Sequence, residues 1–476
     1  MSDRPDTRHH ELENLNLENN MNLQEITTCS LESPIILCRA LPLRLGSGGI
    51  DAVLLAYSNS AGSNPWIEMF SFPADTLKLA VFDLKGKKIW HRDLGPGVIP
   101  DGSFCPIFAF DMDGDGKDEI YFLNNTDPEH PFAISKYRLE RSDAGNGRTT
   151  GQWQWPGYNS ECNMNNAFRN TITGGYVHGK PVLVTAQGLY DDMYLQAWNP
   201  DMSHRWELTI AAGSPGARGS HMHPIVDINS DGVDELMWGE RCLSIDNGKE
   251  LFCFDSENYC GHSDIIQPFI DPASGRWLVF STREKKGTVA PRISVFDATG
   301  KIVWGDLDRG HIHIGWVARL SPDKMTAMAI RIGSQIQTKK CRQIFDREIF
   351  AYDASSGKHI ELPFDPFQTI PVDLNGDGIH ELVRGTKHDG NCNGEVLDGK
   401  GQVTGSVKGT VSLASKILNL PGEQLLTYAA DGAIRIWADL DACDSEAAKE
   451  RYRNPFYDLN QRLSACGNHL HVLGGI

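Results

Sequence analysis

Three observations predict an all-β fold, a single eight-bladed β-propeller. One unit recurs eight times, most recurrences carry a second hairpin, and turn residues punctuate the chain throughout. With 47 Gly and 24 Pro in 476 residues, a break falls roughly every seven residues, which suits short strands better than long helices. The unit opens with an apolar run, an acidic turn and a second apolar run. Its clearest copies are IFAFDMDGDGKDEIYFL (107–123), IVDINSDGVDELMW (225–238) and IPVDLNGDGIHELV (370–383). Degenerate copies occupy 40–57, 173–186, 267–281, 317–330 and 417–429. Between them lies a second signature, an apolar strand, a Gly turn and a strand often ending in Trp: LAVFDLKGKKIW (79–90), LQAWNPDMSHRW (195–206), ISVFDATGKIVW (293–304) and IFAYDASSGKHI (349–360). Shorter versions stand at 243–252 and 395–403. Asp or Asn enters each turn and Gly supplies left-handed backbone, as hairpins require. Two hairpins make four strands, one propeller blade.

Eight units place the ring over about residues 35–440, and no Ser/Pro-rich linker divides them into separate β domains. Residues 1–34 read as a polar segment. Residues 35–476 read as one catalytic propeller domain, ending in a short helix over DACDSEAAKERYR and a closing segment packed on the ring.

Composition narrows the function. Lys and Arg number 45 against 62 Asp and Glu, a net charge of −17, which opposes nucleic-acid binding because phosphate contact needs a basic face. No apolar run is long enough to span a membrane. The first thirty residues lack the apolar core of a secretory signal, so a cytoplasmic location is expected. Eleven cysteines, an odd number set in apolar segments, fit reduced core thiols. Cys242, Cys253, Cys260 and His262 lie close enough in sequence to raise zinc, but without the CxxC knuckle of structural sites.

The three best acidic turns hold oxygens at fixed offsets: Asp111, Asp113, Asp115 and Asp118; Asp227, Asn229, Asp231 and Asp234; Asp373, Asn375 and Asp377. Crowded carboxylates repel unless a hard cation sits among them, so structural calcium is expected in two or three of these loops. In the third, His380 stands where the fourth oxygen belongs. The loops are not EF-hands, since their flanks are strands.

In a propeller, the residues just before each innermost strand ring the channel mouth. Five of the sixteen histidines occupy that offset in three consecutive units: His221, His223, His262, His311 and His313. Arg169, Arg218 and Arg309 share it. One member of each HxH pair is expected to face the channel, His221 in the first and either His311 or His313 in the second. A cationic mouth of His, Arg and Tyr without an obvious pair of catalytic carboxylates suits β-elimination at a uronic acid. There a base takes the proton α to the carboxylate, a cation neutralises that carboxylate, and an acid protonates the leaving oxygen. His221, His262, His311, His313, Arg218 and Tyr190 are the candidate catalytic groups, and Arg169, His223, Asp264 and Arg309 the candidate substrate ligands. Asp191, Asp192 and Asp264 keep two-carboxylate hydrolysis as an alternative. A non-catalytic propeller binding glycan or protein is another.

The acidic blades, RGSHMHPIVDINSDGVDELMWG with its following Gly-Lys hairpin, GHSDIIQPFIDP, NNAFRNTITGGYVHGKPVLVTAQGLYDD and RYRNPFYDLNQRLSACGNH together resemble the rhamnogalacturonan lyases of polysaccharide lyase family eleven. The similarity is diffuse over about residues 75–470. It implies a calcium-containing eight-bladed propeller that cleaves rhamnose–galacturonate backbones, with His221, His262 and Asp264, and further Arg169 and Tyr190, at family positions of the mouth. The sequence departs in three places. Residues 1–34 stand where the family has an extra β domain. RGHIHIG replaces an Asp- and Arg-bearing loop, and GSFC replaces a His-Tyr segment. These departures imply an altered acidic substrate, such as a rhamnose–glucuronate linkage, in imported oligosaccharides.

Overall fold

Seven of the eight predicted copies open in the innermost strands of eight antiparallel sheets; in the eighth the innermost strand precedes Ile417, and ILNL lies in the turn that follows it. The innermost strands span Leu37–Leu43, Ile107–Phe110, Asn170–Val177, Ile225–Val226, Ser263–Ile270, Ile312–Ser321, Thr369–Val372 and Thr410–Ser415, and define blades 1 to 8 in that order. The computed structural model describes residues 20–60, 72–127, 136–156, 169–284, 291–337, 342–385, 393–466 and 473–476. Seven sheets have four strands. Blade 6 has three, because after Arg342–Asp353 the expected fourth strand is reduced to one bridge between Tyr352 and His359. No described helix is long and apolar enough to cross a membrane.

The propeller begins earlier than residue 35. Leu23–Ser30 pairs antiparallel with Ala433–Asp439 and supplies the outermost strand of blade 8, so the first strand closes the ring against the last. Only Thr27 of that strand is buried. An outermost strand has one face in water and little core to fill, so it carries no apolar run for sequence reading to detect.

The Trp that ends several outer hairpins joins neighbouring blades. Trp90, Trp206 and Trp304 donate their indole N–H to the carbonyls of Ala144, Ile245 and Ala354 in the next blade, at 2.7–2.8 Å. Each ring lies on that blade's hairpin glycine, Gly147, Gly248 or Gly357, all at φ +71, where a Cβ would come within 3 Å of the indole. The turn therefore needs glycine twice, for its left-handed backbone and for the ring above it.

The C-terminal segment closes one end of the channel. Two short helices, α1 (Glu446–Arg453) and α2 (Pro455–Asn460), lead into a 3-10 turn. Arg451 pairs with Asp373 of blade 7 at 2.6 Å, and Arg462 with Asp118 of blade 2 at 2.5 Å, all four side chains nearly or wholly buried. Tyr457 donates to Glu423 in blade 8 at 2.5 Å. Asn460 bonds both backbone groups of Ile225, and Ser464 and Cys466 reach the carbonyls of Ala40, Ile107 and Ile172. Ile270 of blade 5 donates to Gly475. The plug lies at the ends of the inner strands that carry the acidic loops, so the histidine-bearing ends form the open mouth.

Candidate active site

The mouth is assembled by direct pairing of the entries to blades 4 and 5. Arg218 N–H donates to Gly261, His221 N–H to Ser263 and Ser263 N–H to Gly219, with a parallel bridge between Ser220 and Ser263. This sets the His221 and His262 rings 5.1 Å apart. Glu284 N–H donates to the His262 carbonyl and brings the end of blade 5's second strand beside them. Below, the buried Arg283 pairs with Glu240 at 2.7 Å and Asp255 at 2.9 Å and lies 3.9 Å from the Tyr259 ring centroid. Tyr259 donates to the His262 carbonyl, and Glu240 accepts from the Ser263 and Ser281 hydroxyls. This network holds the backbone that carries His262, Asp264 and Glu284.

Asp264, 2% exposed, is the hub. Its Oδ1 lies 3.1 Å from His221 Nε2 and 3.9 Å from His262 Nε2. Its Oδ2 lies 3.3 Å from both His311 Nε2 and His313 Nδ1. Glu284 contacts His262 through Oε2 and His311 through Oε1, the latter at 3.0 Å. Tyr190 places its hydroxyl 3.3 Å from His262 Nε2. Burial drives the His262 imidazole down to about 3, against the pull of Glu284. For His311, burial is outweighed by the nearby carboxylates of Asp264 and Glu284, which raise it to about 9. Burial alone would raise Asp264, but the surrounding imidazoles of His221, His311 and His313 hold it well below the carboxylate range. Burial raises the Tyr190 phenol, so it stays protonated at neutral pH.

Several of these atoms are within ion-pair reach but lack hydrogen-bond geometry. Asp264 Oδ2, Glu284 Oε2 and His311 Nε2 are buried without a hydrogen-bond partner. Such atoms are costly unless something else satisfies them. One ligand atom each from His221, His262, Asp264 and Glu284 lies within 4.8 Å of the others, and the same holds for Asp264, His311 and His313. Imidazole and carboxylate together form a donor set for a divalent cation. Beside the cluster, Arg169 is 7% exposed and its Nε and Nη1 have no hydrogen-bond partner. It lines a small cavity with Ser103, Ser220, His221 and His223, so its charge faces a space suited to an anion.

Residues 159–354 match the family model described as rhamnogalacturonan lyase family 11, C-terminal domain. Rhamnogalacturonan endolyase YesW of Bacillus subtilis is 24% identical over 274 residues, covering 51% of this chain and 43% of the relative. Rhamnogalacturonan exolyase YesX of the same organism is 25% identical over 276 residues, covering 51% and 44%. Over this region the chain is similar to the rhamnogalacturonan lyases of family 11. The match spans less than half the length of either curated relative. Among solved structures, the exotype lyase YesX aligns with a TM-score of 0.71 at 16% identity over 94% of this chain and 83% of that one. A Bacillus licheniformis PL11 rhamnogalacturonan lyase aligns at 0.68 and 18% identity, over 94% and 82%. These structures share the fold.

The geometry revises several expectations. His311 and His313 both face Asp264, because residues two apart on a strand point to the same side, while Ile312 enters the blade core. His221 and His223 do part, since 221–224 is not strand; His223 stacks on Trp238 at 4.1 Å. Arg218's guanidinium is buried and donates to the Ala211 and Ser214 carbonyls. Arg309 is exposed at the rim, and no described contact joins its side chain to the cluster. Asp264 is the buried centre of the histidines. Glu284 was not foreseen. It follows the strand Trp277–Arg283, and pairing within blade 5, Glu284 N–H to the His262 carbonyl, brings it to the mouth. Cys242, Cys253, Cys260 and His262 do not converge among the described residues, where the ligand atoms near His262 are those of His221, Asp264 and Glu284. With two carboxylates present, the mouth's permanent positive charge among these residues is that of Arg169.

The acidic loops also divide. Asp111, Asp113 and Asp115 hold their ligand atoms within 4.8 Å of one another, and Asp111 accepts the N–H groups of Gly114 and Gly116. Asp227 accepts Asp231 and Gly232 in the same way. The eighth position has a different task. Asp118 accepts Arg44 N–H of blade 1 and pairs with Arg462, and Asp234 accepts Tyr176 N–H of blade 3 at 2.6 Å. His380 accepts Arg319 N–H of blade 6 through Nδ1. All three tie the loop to the preceding blade, which explains the histidine. Asp373 is fully buried and already bonded by Arg451, so the guanidinium stands where a loop cation was expected.

Proposed function

We propose that this protein is a polysaccharide lyase that cleaves a rhamnose-linked, uronate-containing glycan of the rhamnogalacturonan type by β-elimination at the open mouth. The observation that carries the reading is the buried, partnerless edge of Arg169 facing the cavity beside the His221, His262, Asp264 and Glu284 cluster. Arg169 would donate to the uronate carboxylate from its unpartnered Nε or Nη1, a charge-assisted bond. A divalent cation held by His221, His262, Asp264 and Glu284 would supply further positive charge for the enolate that forms as the α-proton leaves. The C5–H bond gives its proton to a neutral imidazole of the mouth. The electron pair becomes the C4–C5 double bond, and the C4–O4 bond breaks. Tyr190, protonated and beside the cluster, is placed to give its proton to the departing O4. Calcium in the Asp111 and Asp227 loops would stiffen blades 2 and 4 on the far face. The names of both curated relatives, a rhamnogalacturonan endolyase and exolyase, support the substrate class.

The test is incubation with rhamnogalacturonan and with glucuronate-containing oligosaccharides, following the ultraviolet absorbance of an unsaturated uronate. Absorbance growth that His262→Ala and Arg169→Ala abolish is the expected result. New reducing ends without absorbance would replace the lyase with a hydrolase.

A further inference from the structure

We infer that the mouth holds two divalent cations, the second bound by His311 and His313, with Asp264 and Glu284 bridging the pair. The inference rests on the cation-holding half of the proposed function and is independent of the reaction catalysed.

Both carboxylates are shared in the same sense. Asp264 turns Oδ1 to His221 and His262 and Oδ2 to His311 and His313. Glu284 turns Oε2 to His262 and Oε1 to His311. Two imidazole pairs thus flank two carboxylates, each of which offers one oxygen to either side. Histidinium–carboxylate hydrogen bonding would be the simpler account, but it leaves Asp264 Oδ2, Glu284 Oε2 and His311 Nε2 without partners in a buried place. It would also stack two charged rings, since the centroids of His311 and His313 are 3.5 Å apart with planes 24° from parallel. Neutral imidazoles pointing nitrogen lone pairs at one ion meet neither objection. Two imidazoles with carboxylate oxygens suit a borderline ion such as zinc or manganese better than calcium, which prefers oxygen throughout. A second ion would take His311 and His313 out of proton transfer and leave Tyr190 and His223 as proton carriers.

The test counts zinc. The full chain is equilibrated with zinc in excess calcium, which keeps the oxygen loops filled, and bound zinc is measured by mass spectrometry after removal of the free ion. The wild type should hold one equivalent more than His311→Ala/His313→Ala, and one more than His221→Ala/His262→Ala. Asp264→Ala should lose both. Equal zinc in wild type and the His311/His313 variant overturns the inference. Should a variant not fold by circular dichroism, manganese-loaded wild type decides: an exchange-coupled pair in its paramagnetic resonance spectrum supports two ions, and an uncoupled six-line signal overturns them. Two zinc equivalents without lyase activity would sink the proposed reaction and leave this site standing.

Discussion

The two ends of the channel use buried carboxylates in opposite ways. At the closed end, Asp118 and Asp373 meet Arg462 and Arg451. A guanidinium is always charged and brings only donors, so each carboxylate there has a permanent partner. At the open end, Asp264 and Glu284 meet imidazoles, whose ring nitrogens can present lone pairs as readily as protons. That set keeps atoms unsatisfied until something binds. Identical side chains are therefore locked where the tail joins the blades and receptive where a ligand enters.

The contrast can be broken by experiment. Arg462→Met should destabilise the protein by about 3–5 kcal/mol, because Asp118 stays buried without its partner. A thermal midpoint near the wild type's would show that the closed end is not held by this pair. Asp264→Asn should cut the initial rate of unsaturated-uronate formation by roughly 10²–10³-fold, and a rate within a fewfold of wild type would deny the open end its role. Calcium should stabilise the protein by roughly 2–3 kcal/mol at a hundredfold excess over its dissociation constant. Asp113→Ala should shrink that gain and Asp377→Ala should leave it, since Arg451 already occupies the third loop. A calcium response lost in Asp377→Ala would reverse this assignment.

The smallest effect concerns His380. Burial, with Arg451 nearby, holds its imidazole well below the usual value. The native ring stays neutral while the unfolded ring protonates below about pH 6.5, so stability should fall as pH drops through that point, by at most about 1.4 kcal/mol per pH unit. His380→Asn keeps an acceptor for Arg319 N–H and cannot be charged. Chemical denaturation between pH 7 and 5 should show a flatter slope for the variant, and parallel slopes would exclude His380 as the source.

Much of the architecture was legible because blades repeat. Apolar runs, Gly turns and terminal Trp residues report local hairpin physics, and seven of the eight copies open in an innermost strand, the eighth having been placed one strand late. The outermost strand Leu23–Ser30 escaped because a half-solvated strand buries little. At the mouth, offset alone located His221, His262, His311 and His313, whose position before an inner strand is a property of the unit. Glu284 lay at no such offset. Arg218 carried the same signal as Arg169, yet one guanidinium is spent on loop carbonyls and the other faces the cavity.

By itself, then, the sequence determined the ring, its punctuation and which blade ends bear histidine, because these follow from short-range periodicity. Tertiary structure alone decided which carboxylates meet arginine and which meet imidazole. Those pairings join residues hundreds of positions apart, such as Arg462 with Asp118, or set neighbouring blades edge to edge. The partner of a buried charge depends on how the ring closes, and no local pattern records it.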